Sequence, residues 1–253
     1  AALLPAITGN IGKPGTGVNF LNGKGPTRGM DMGYLGRADL RTNDAAPLSH
    51  MDLRGHLEAA PRDKALLLWN INVAASNPDQ RKLLDALRSE ELFTVVADLF
   101  MTDSARYADI LLPAASFLEF DDIVGSYFHL SVGPQTKAVE PVGEALPNQE
   151  IFRRLAAAMK LDEPALFEAD GPILDRMMEP FGMTFDELKA RGTIFPEADP
   201  AVLWADLDFP TPSGKIELAS AAAEADGHPR VPSPEPLARP DAGKLRLLTP
   251  ASE

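Results

Sequence analysis

The sequence predicts an α/β fold: a doubly wound, mostly parallel sheet with helices on both faces. Three observations point there. Unbroken apolar runs of strand length occur at residues 65–69, 92–96 and 110–113. A stretch of helical periodicity, with Leu83, Leu84 and Leu87 on one face, separates the first two. The first two runs stop at polar residues, at Asn70 and Asn72 and at Asp98, and the third is ended by Pro113. Continuous rather than alternating apolar runs are those of strands buried on both faces, and a helix between two of them makes a parallel crossover. In such sheets ligands lie beyond the carboxyl ends of the strands. Asn70, Asn72, Asp98 and Thr102 fall at those ends and are candidate binding residues.

Before the sheet, residues 1–60 form a Gly-rich, irregular segment in which Leu3 to Ile7 ends a helix near Thr8-Gly9-Asn10. Glycine lets a backbone reach positive φ and approach a ligand closely. His50 and His56 are six apart, a spacing that does not place two metal ligands on one helix face. Strands are expected near residues 65–69, 93–97 and 109–112, and helices near 79–89 and 149–159, with boundaries uncertain by about 2–4 residues. Thr102-Asp103-Ser104 is read as an N-cap cluster, and Asn148 as the N-cap of the later helix. Glu119, Asp121 and Asp122 follow the third strand with no calcium-loop spacing, so they read as a solvated acidic face. Two short helices are expected around residues 173–178 and 184–188, with Met177, Met178 and Met183 as core filling. Residues 226–240 are Pro-rich and linker-like, and a strand begins at Leu245. The chain is thus divided at 1–60, 61–220 and 221–253.

With 253 residues and 45% hydrophobic content the chain can bury a sizeable core. A net charge of -13 excludes the basic face that nucleic acid requires. No apolar run approaches the roughly 18 residues of a membrane helix, so no direct membrane insertion is expected. Cysteine is absent, which removes disulfides, thiolate ligation and a Cys nucleophile from this stretch. There is neither a Walker loop nor a dinucleotide fingerprint in a strand-to-helix setting.

The string from Asp98 to Pro113, D-L-F-M-T-D-S-A-R-Y-A-D-I-L-L-P, resembles the third domain of the molybdopterin guanine dinucleotide oxidoreductases, a family that includes formate dehydrogenases, nitrate reductases and polysulfide reductases. Thr8 to Gly17 (T-G-N-I-G-K-P-G-T-G), Ala138 to Glu144 (A-V-E-P-V-G-E) and Thr211 to Leu218 (T-P-S-G-K-I-E-L) continue the resemblance in order. It implies a central portion of a large subunit. That subunit would transfer an oxygen atom or a hydride equivalent at molybdenum held by two pterins. The stretch alone would be inactive, with no catalytic residue and no metal ligand of its own. By the same resemblance, residues 1–60 are the exit of a preceding domain, with Asn22, Gly23 and Lys24 beside a pterin. Asp98 would read the guanine, helix N-termini after Asn72 and after Asp98 would receive phosphates, and Asn148 would stand near the guanine. Residues 221–253 would lead into a truncated barrel domain. Also implied are a 4Fe-4S cluster upstream, partnership with the other domains of the polypeptide and with an electron-transfer subunit, and a cytoplasmic or periplasmic setting. The chain departs from the family pattern at Phe120 and at residues 129–133. A cofactor-free scaffold subunit of a respiratory complex, with the same fold, is the alternative.

Overall fold

The computed structural model describes residues 3–18, 29–40, 47–60, 64–127, 131–196, 202–233, 240–241 and 243–245. In chain order the regular elements are α1 (Leu3–Ile7), α2 (Met32–Gly36), α3 (Leu53–Ala59), β1 (Lys64–Trp69), α4 (Val73–Ser76), α5 (Gln80–Leu87), β2 (Leu92–Asp98), β3 (Ile110–Pro113), β4 (Asp122–Gly125), β5 (Val132–Gln135), α6 (Asn148–Ala158), α7 (Asp170–Met178), α8 (Phe185–Arg191) and α9 (Ala221–Ala225). Short 3-10 helices add to these, among them Ser104–Tyr107. Residues 1–20 and 199–253 form one compact unit, and residues 21–198 a second.

The second unit holds the predicted sheet. β1, β2 and β3 pair in sequence order, all parallel. Leu66 faces Thr94, Leu68 faces Val96, and Val95 faces Ile110 in register. At the start of β3 the backbone amide of Thr94 donates to the Asp109 carboxylate at 2.7 Å, and the Asp109 amide returns a bond to the Thr94 carbonyl at 2.8 Å. One sheet face is a dry core in which Leu68, Leu92 and Val96 meet Leu57 of α3, Val73 and Ala74 of α4, and Leu83 and Leu87 of α5. Leu83 and Leu87 are the apolar positions that the sequence placed on one helix face.

The other face differs from expectation. Leu67 is 44%, Trp69 48% and Phe93 49% exposed. The expected second helical layer is represented there by Phe152 of α6, whose ring meets Trp69 edge-on at 4.9 Å. Solvent access largely alternates along β1 and β2, so the side that carries Leu68, Leu92, Thr94 and Val96 is the drier one.

A second core lies in the same unit. β4 and β5 pair antiparallel, and Val132 packs with Leu174 and Met178 of α7 and with Phe185 and Leu188 of α8. α8 begins with a capping box in which Thr184 and Glu187 satisfy each other's backbone amides. Met177 and Met178 are buried, as expected of core filling.

The first unit joins the glycine-rich start to the tail. A Cβ added to Gly12, which has φ +72°, would sit 2.5 Å from the Trp204 carbonyl oxygen. Only glycine fits that approach and that dihedral. Trp204 in turn stacks on Phe209 at 5.1 Å, and the Thr211 hydroxyl donates to the Lys215 carbonyl at 2.7 Å, closing the T-P-S-G-K turn.

The two sheet faces make a quantitative contrast. Leu83, 1% exposed, leaves a cavity when truncated, so Leu83→Ala should cost about 2–5 kcal/mol of chain stability. Leu67→Ala, on the open face, should cost about 1 kcal/mol or less. Denaturant unfolding of both variants of the chain checks the ordering.

Candidate functional site

Four segments meet side by side at the carboxyl edge of the sheet. The Asn70 amide donates to the Ala97 carbonyl at 3.0 Å, and the Ala114 amide to the Asp98 carbonyl at 3.1 Å. The Leu146 amide then donates to the Pro113 carbonyl at 3.1 Å, and the Ala115 amide to the Leu146 carbonyl at 2.8 Å. Leu146 thus extends the edge beyond β3 and delivers Asn148 to it two residues later. Asn70, Asn72, Asp98, Thr102 and Asn148 therefore belong to one edge. Asn22, Gly23 and Lys24 lie outside the described residues.

These side chains differ in how they are committed. Asn70 ends β1 in the left-handed region with φ 52°, a conformation asparagine tolerates better than most residues. It is exposed, and among the described residues its side chain makes no hydrogen bond. The half-buried Asp98 accepts from the Leu99 amide through Oδ1 at 2.7 Å, while Oδ2 has no donor among the described residues. Asn148 is corrected from N-cap to first helical residue. Pro147 holds the cap position with φ -54° and ψ 145°, the extended geometry a cap needs and proline supplies. From the first turn an asparagine side chain cannot fold back onto the amides that a cap serves. Its Oδ1 is consequently buried with no hydrogen-bond partner.

Thr102 and Asn72 face inward. The Thr102 hydroxyl accepts from the Ala105 amide at 3.3 Å, so within the expected cap cluster Thr102 does the capping, whereas Asp103 makes no such bond. Asn72 Oδ1 accepts from the Ser104 amide at 3.1 Å and from the Ser104 hydroxyl at 2.9 Å. The Ser104 oxygen in turn accepts from the Ala74 amide at 2.9 Å. These bonds correct the reading of helix amides as phosphate donors. The amides of Ala74, Ser104 and Ala105 already have side-chain acceptors, and α4 has only four residues. Ser104 is fully buried, whereas the sequence marks it only as part of a cap cluster. Its one sequence signal is a small polar residue between Asp103 and an apolar position.

Beside the start of α6 opens a cleft of about 470 Å³, lined in part by Glu119, Asp121, Lys137, Pro147, Asp170 and Lys189. Its carboxylates outnumber its lysines, which makes it a poor seat for a pyrophosphate. Asp121 accepts from the Lys137 backbone amide at 2.7 Å, and Asp170 pairs with Arg153. Burial pushes the Asp122 carboxyl up, and the neighbouring Asp170 adds to it. Glu119, 6% exposed, accepts from the Ser116 amide at 2.6 Å and from the Val142 amide at 2.7 Å. The Ser116 bonds first, then the Val142 amide, hold its carboxyl below the usual carboxylate range. The acids read as a solvated face therefore include one carboxylate that braces two loops.

The native form of Glu119 binds its proton more weakly than the unfolded form, so its stabilisation is complete above the unfolded value of 4.5 and fades as pH falls through the depressed native value. Glu119→Gln should remove that contribution at neutral pH and flatten the acid limb of the stability profile. Thermal melting of both proteins across pH 3–7 measures it; parallel profiles would refute the bracing role.

The chain matches the family model described as molybdopterin oxidoreductase over residues 1–158. It is 34% identical over 244 residues to the Bacillus subtilis protein YoaE, described as a probable oxidoreductase, covering 93% of this chain and 35% of that protein. The alpha subunit of a formate dehydrogenase from Methanococcus maripaludis is 32% identical over 217 residues, covering 76% of this chain and 32% of the relative. Among solved structures, the acetylene hydratase of Pelobacter acetylenicus superposes with a TM-score of 0.59 at 25% identity, covering 74% of this chain and 25% of its own. The chain spans about a third of the length of the curated relatives it matches.

Proposed function

Because this chain belongs to the molybdopterin oxidoreductase family, a molybdenum–pterin cofactor is implied, and we propose that the carboxyl edge of its sheet holds the guanosine end of that cofactor in its guanine dinucleotide form. The observation that carries the reading is a pair of uncommitted acceptors on one edge: Asp98 Oδ2, and the buried, partnerless Asn148 Oδ1. A buried acceptor without a donor is costly. Guanine offers N–H donors along one side of its ring, which suits a carboxylate and an amide oxygen. The acceptor pair thus fits a guanine.

When bound, the cofactor supplies the oxygen-atom, hydride or electron transfer. This chain's residues bind and orient its nucleotide end. Asp98 accepts from the guanine, with its carboxylate fixed at a strand end, and Asn148 accepts beside it from the start of α6. Asn70 offers an exposed amide at the neighbouring strand end. The full polypeptide is read as an oxidoreductase, working with its remaining domains, a 4Fe-4S cluster outside this chain and an electron-transfer subunit. The isolated chain is read as catalytically silent; molybdenum analysis of the purified chain should find none, and stoichiometric metal would overturn that.

The deciding experiment places Asp98→Ala and Asp98→Asn in the full-length protein and measures guanine nucleotide and molybdenum per polypeptide. Hydrogen bonds to an ionised acceptor are worth roughly 1.5–3 kcal/mol, so Asp98→Ala should lower retention by about one to two powers of ten. Asp98→Asn should lose at least as much, because it turns one acceptor into a donor facing guanine's own donors. Folded variants that keep the cofactor like the wild type would make Asp98 a turn residue, and a wild-type protein without cofactor would favour the cofactor-free scaffold.

A further inference from the structure

Beyond the Asn70–Ala97 bond, no backbone pairing joins the loop that leaves β1 to the loop that leaves β2, among the described residues. What joins them is Ser104. Its amide and hydroxyl both donate to Asn72 Oδ1, at 3.1 and 2.9 Å, and its oxygen accepts from the Ala74 amide at 2.9 Å. Asn72 and Ala74 follow Asn70 on the first loop. Ser104 follows Asp98 and Thr102 on the second.

The surroundings make this link demanding. Ser104 has no exposed surface, and Val73, Ala74 and Ala105 beside it are buried within the apolar core. Polar groups placed there must be bonded to one another, because the alternative is an unsatisfied group in a dry site. The arrangement satisfies all three bonds at once. The separation of the two loops, and with it the placement of Asn70 relative to Asp98, is therefore fixed by a hydroxyl that touches neither of them.

We propose that Ser104 is a positioning residue for the nucleotide edge, acting through Asn72, and that Asn72 serves the cofactor by holding Ser104 and not by touching it. This rests on reading the edge as the guanosine site. Removing the hydroxyl leaves the Ala74 amide without its acceptor and Asn72 with one donor fewer. The two loops then keep only the Ser104 amide bond to Asn72 as their common point, while the β1–β2 ladder stays intact.

The test uses the full-length protein with Ser104→Ala, Asn72→Ala, the double variant and Ser104→Thr. The readouts are guanine nucleotide released by acid denaturation, molybdenum per polypeptide, and melting temperature. Ser104→Ala and Asn72→Ala should each lower guanine nucleotide content by about tenfold, the scale of one unsatisfied buried group. The double variant should lose less than the product of the two single losses, since both singles remove the bond from the Ser104 hydroxyl to Asn72. Ser104→Thr keeps the hydroxyl and should retain the nucleotide to within about threefold of wild type. If Ser104→Ala fails to fold, Asn72→Ala removes both bonds that Ser104 donates, from their half-buried end, and carries the test. Folded variants with wild-type nucleotide content would overturn the proposal, as would additive losses, which would mean two independent contacts. A wild-type protein that carries no guanine nucleotide would overturn the guanosine reading and this inference together, an outcome separate from both.

Discussion

Parallel pairing of β1, β2 and β3 in one register fixes where every other feature of the second unit lies. In a parallel sheet all carboxyl ends point the same way, so Asn70, Asp98 and Ala114 leave the sheet on one edge by geometry alone. Antiparallel pairing would alternate them between opposite edges. The crossover through α4 and α5 is what permits that pairing, and the dry contact of Leu83 and Leu87 with Leu68 and Val96 is what holds the crossover down.

At the edge itself, polar commitments separate framework from contact. Thr102, Asn72, Ser104 and Glu119 spend their hydrogen bonds inside the protein, on backbone amides or on one another. Asp98 and Asn148 keep an oxygen in reserve. The division follows from chain geometry. A side chain at the residue just before a helix reaches the free amides of its first turn, whereas one at the first helical position does not, and proline at position 147 holds the former place and leaves Asn148 the latter. The same accounting removes the short helices as phosphate seats, because their amides are already taken.

The fold was largely legible in the residues. The strand runs, the helix with Leu83 and Leu87 inward, the methionines of α7 and the helix after Pro147 are local patterns, and local patterns are what periodicity reports. The half-open face carrying Leu67, Trp69 and Phe93 was not legible. A continuous apolar run says that both faces are suited to burial, not which one the chain covers.

The sequence by itself determined the order of the three parallel strands and of the helix between the first two, the family, and the set of polar residues that gather at the strand ends. These are read from apolar runs and from motif strings along the chain, and they survive without coordinates. Only the tertiary structure decided which of those polar residues are free. Whether Asn72 meets a ligand or Ser104 depends on atoms brought together across 32 residues of chain, whereas Thr102 and Asn148 are decided by near neighbours, Ala105 and Pro147, in the backbone geometry the fold imposes. A hydrogen bond is a contest between partners within about 3 Å, and the list of rivals at that distance is set by packing, not by sequence.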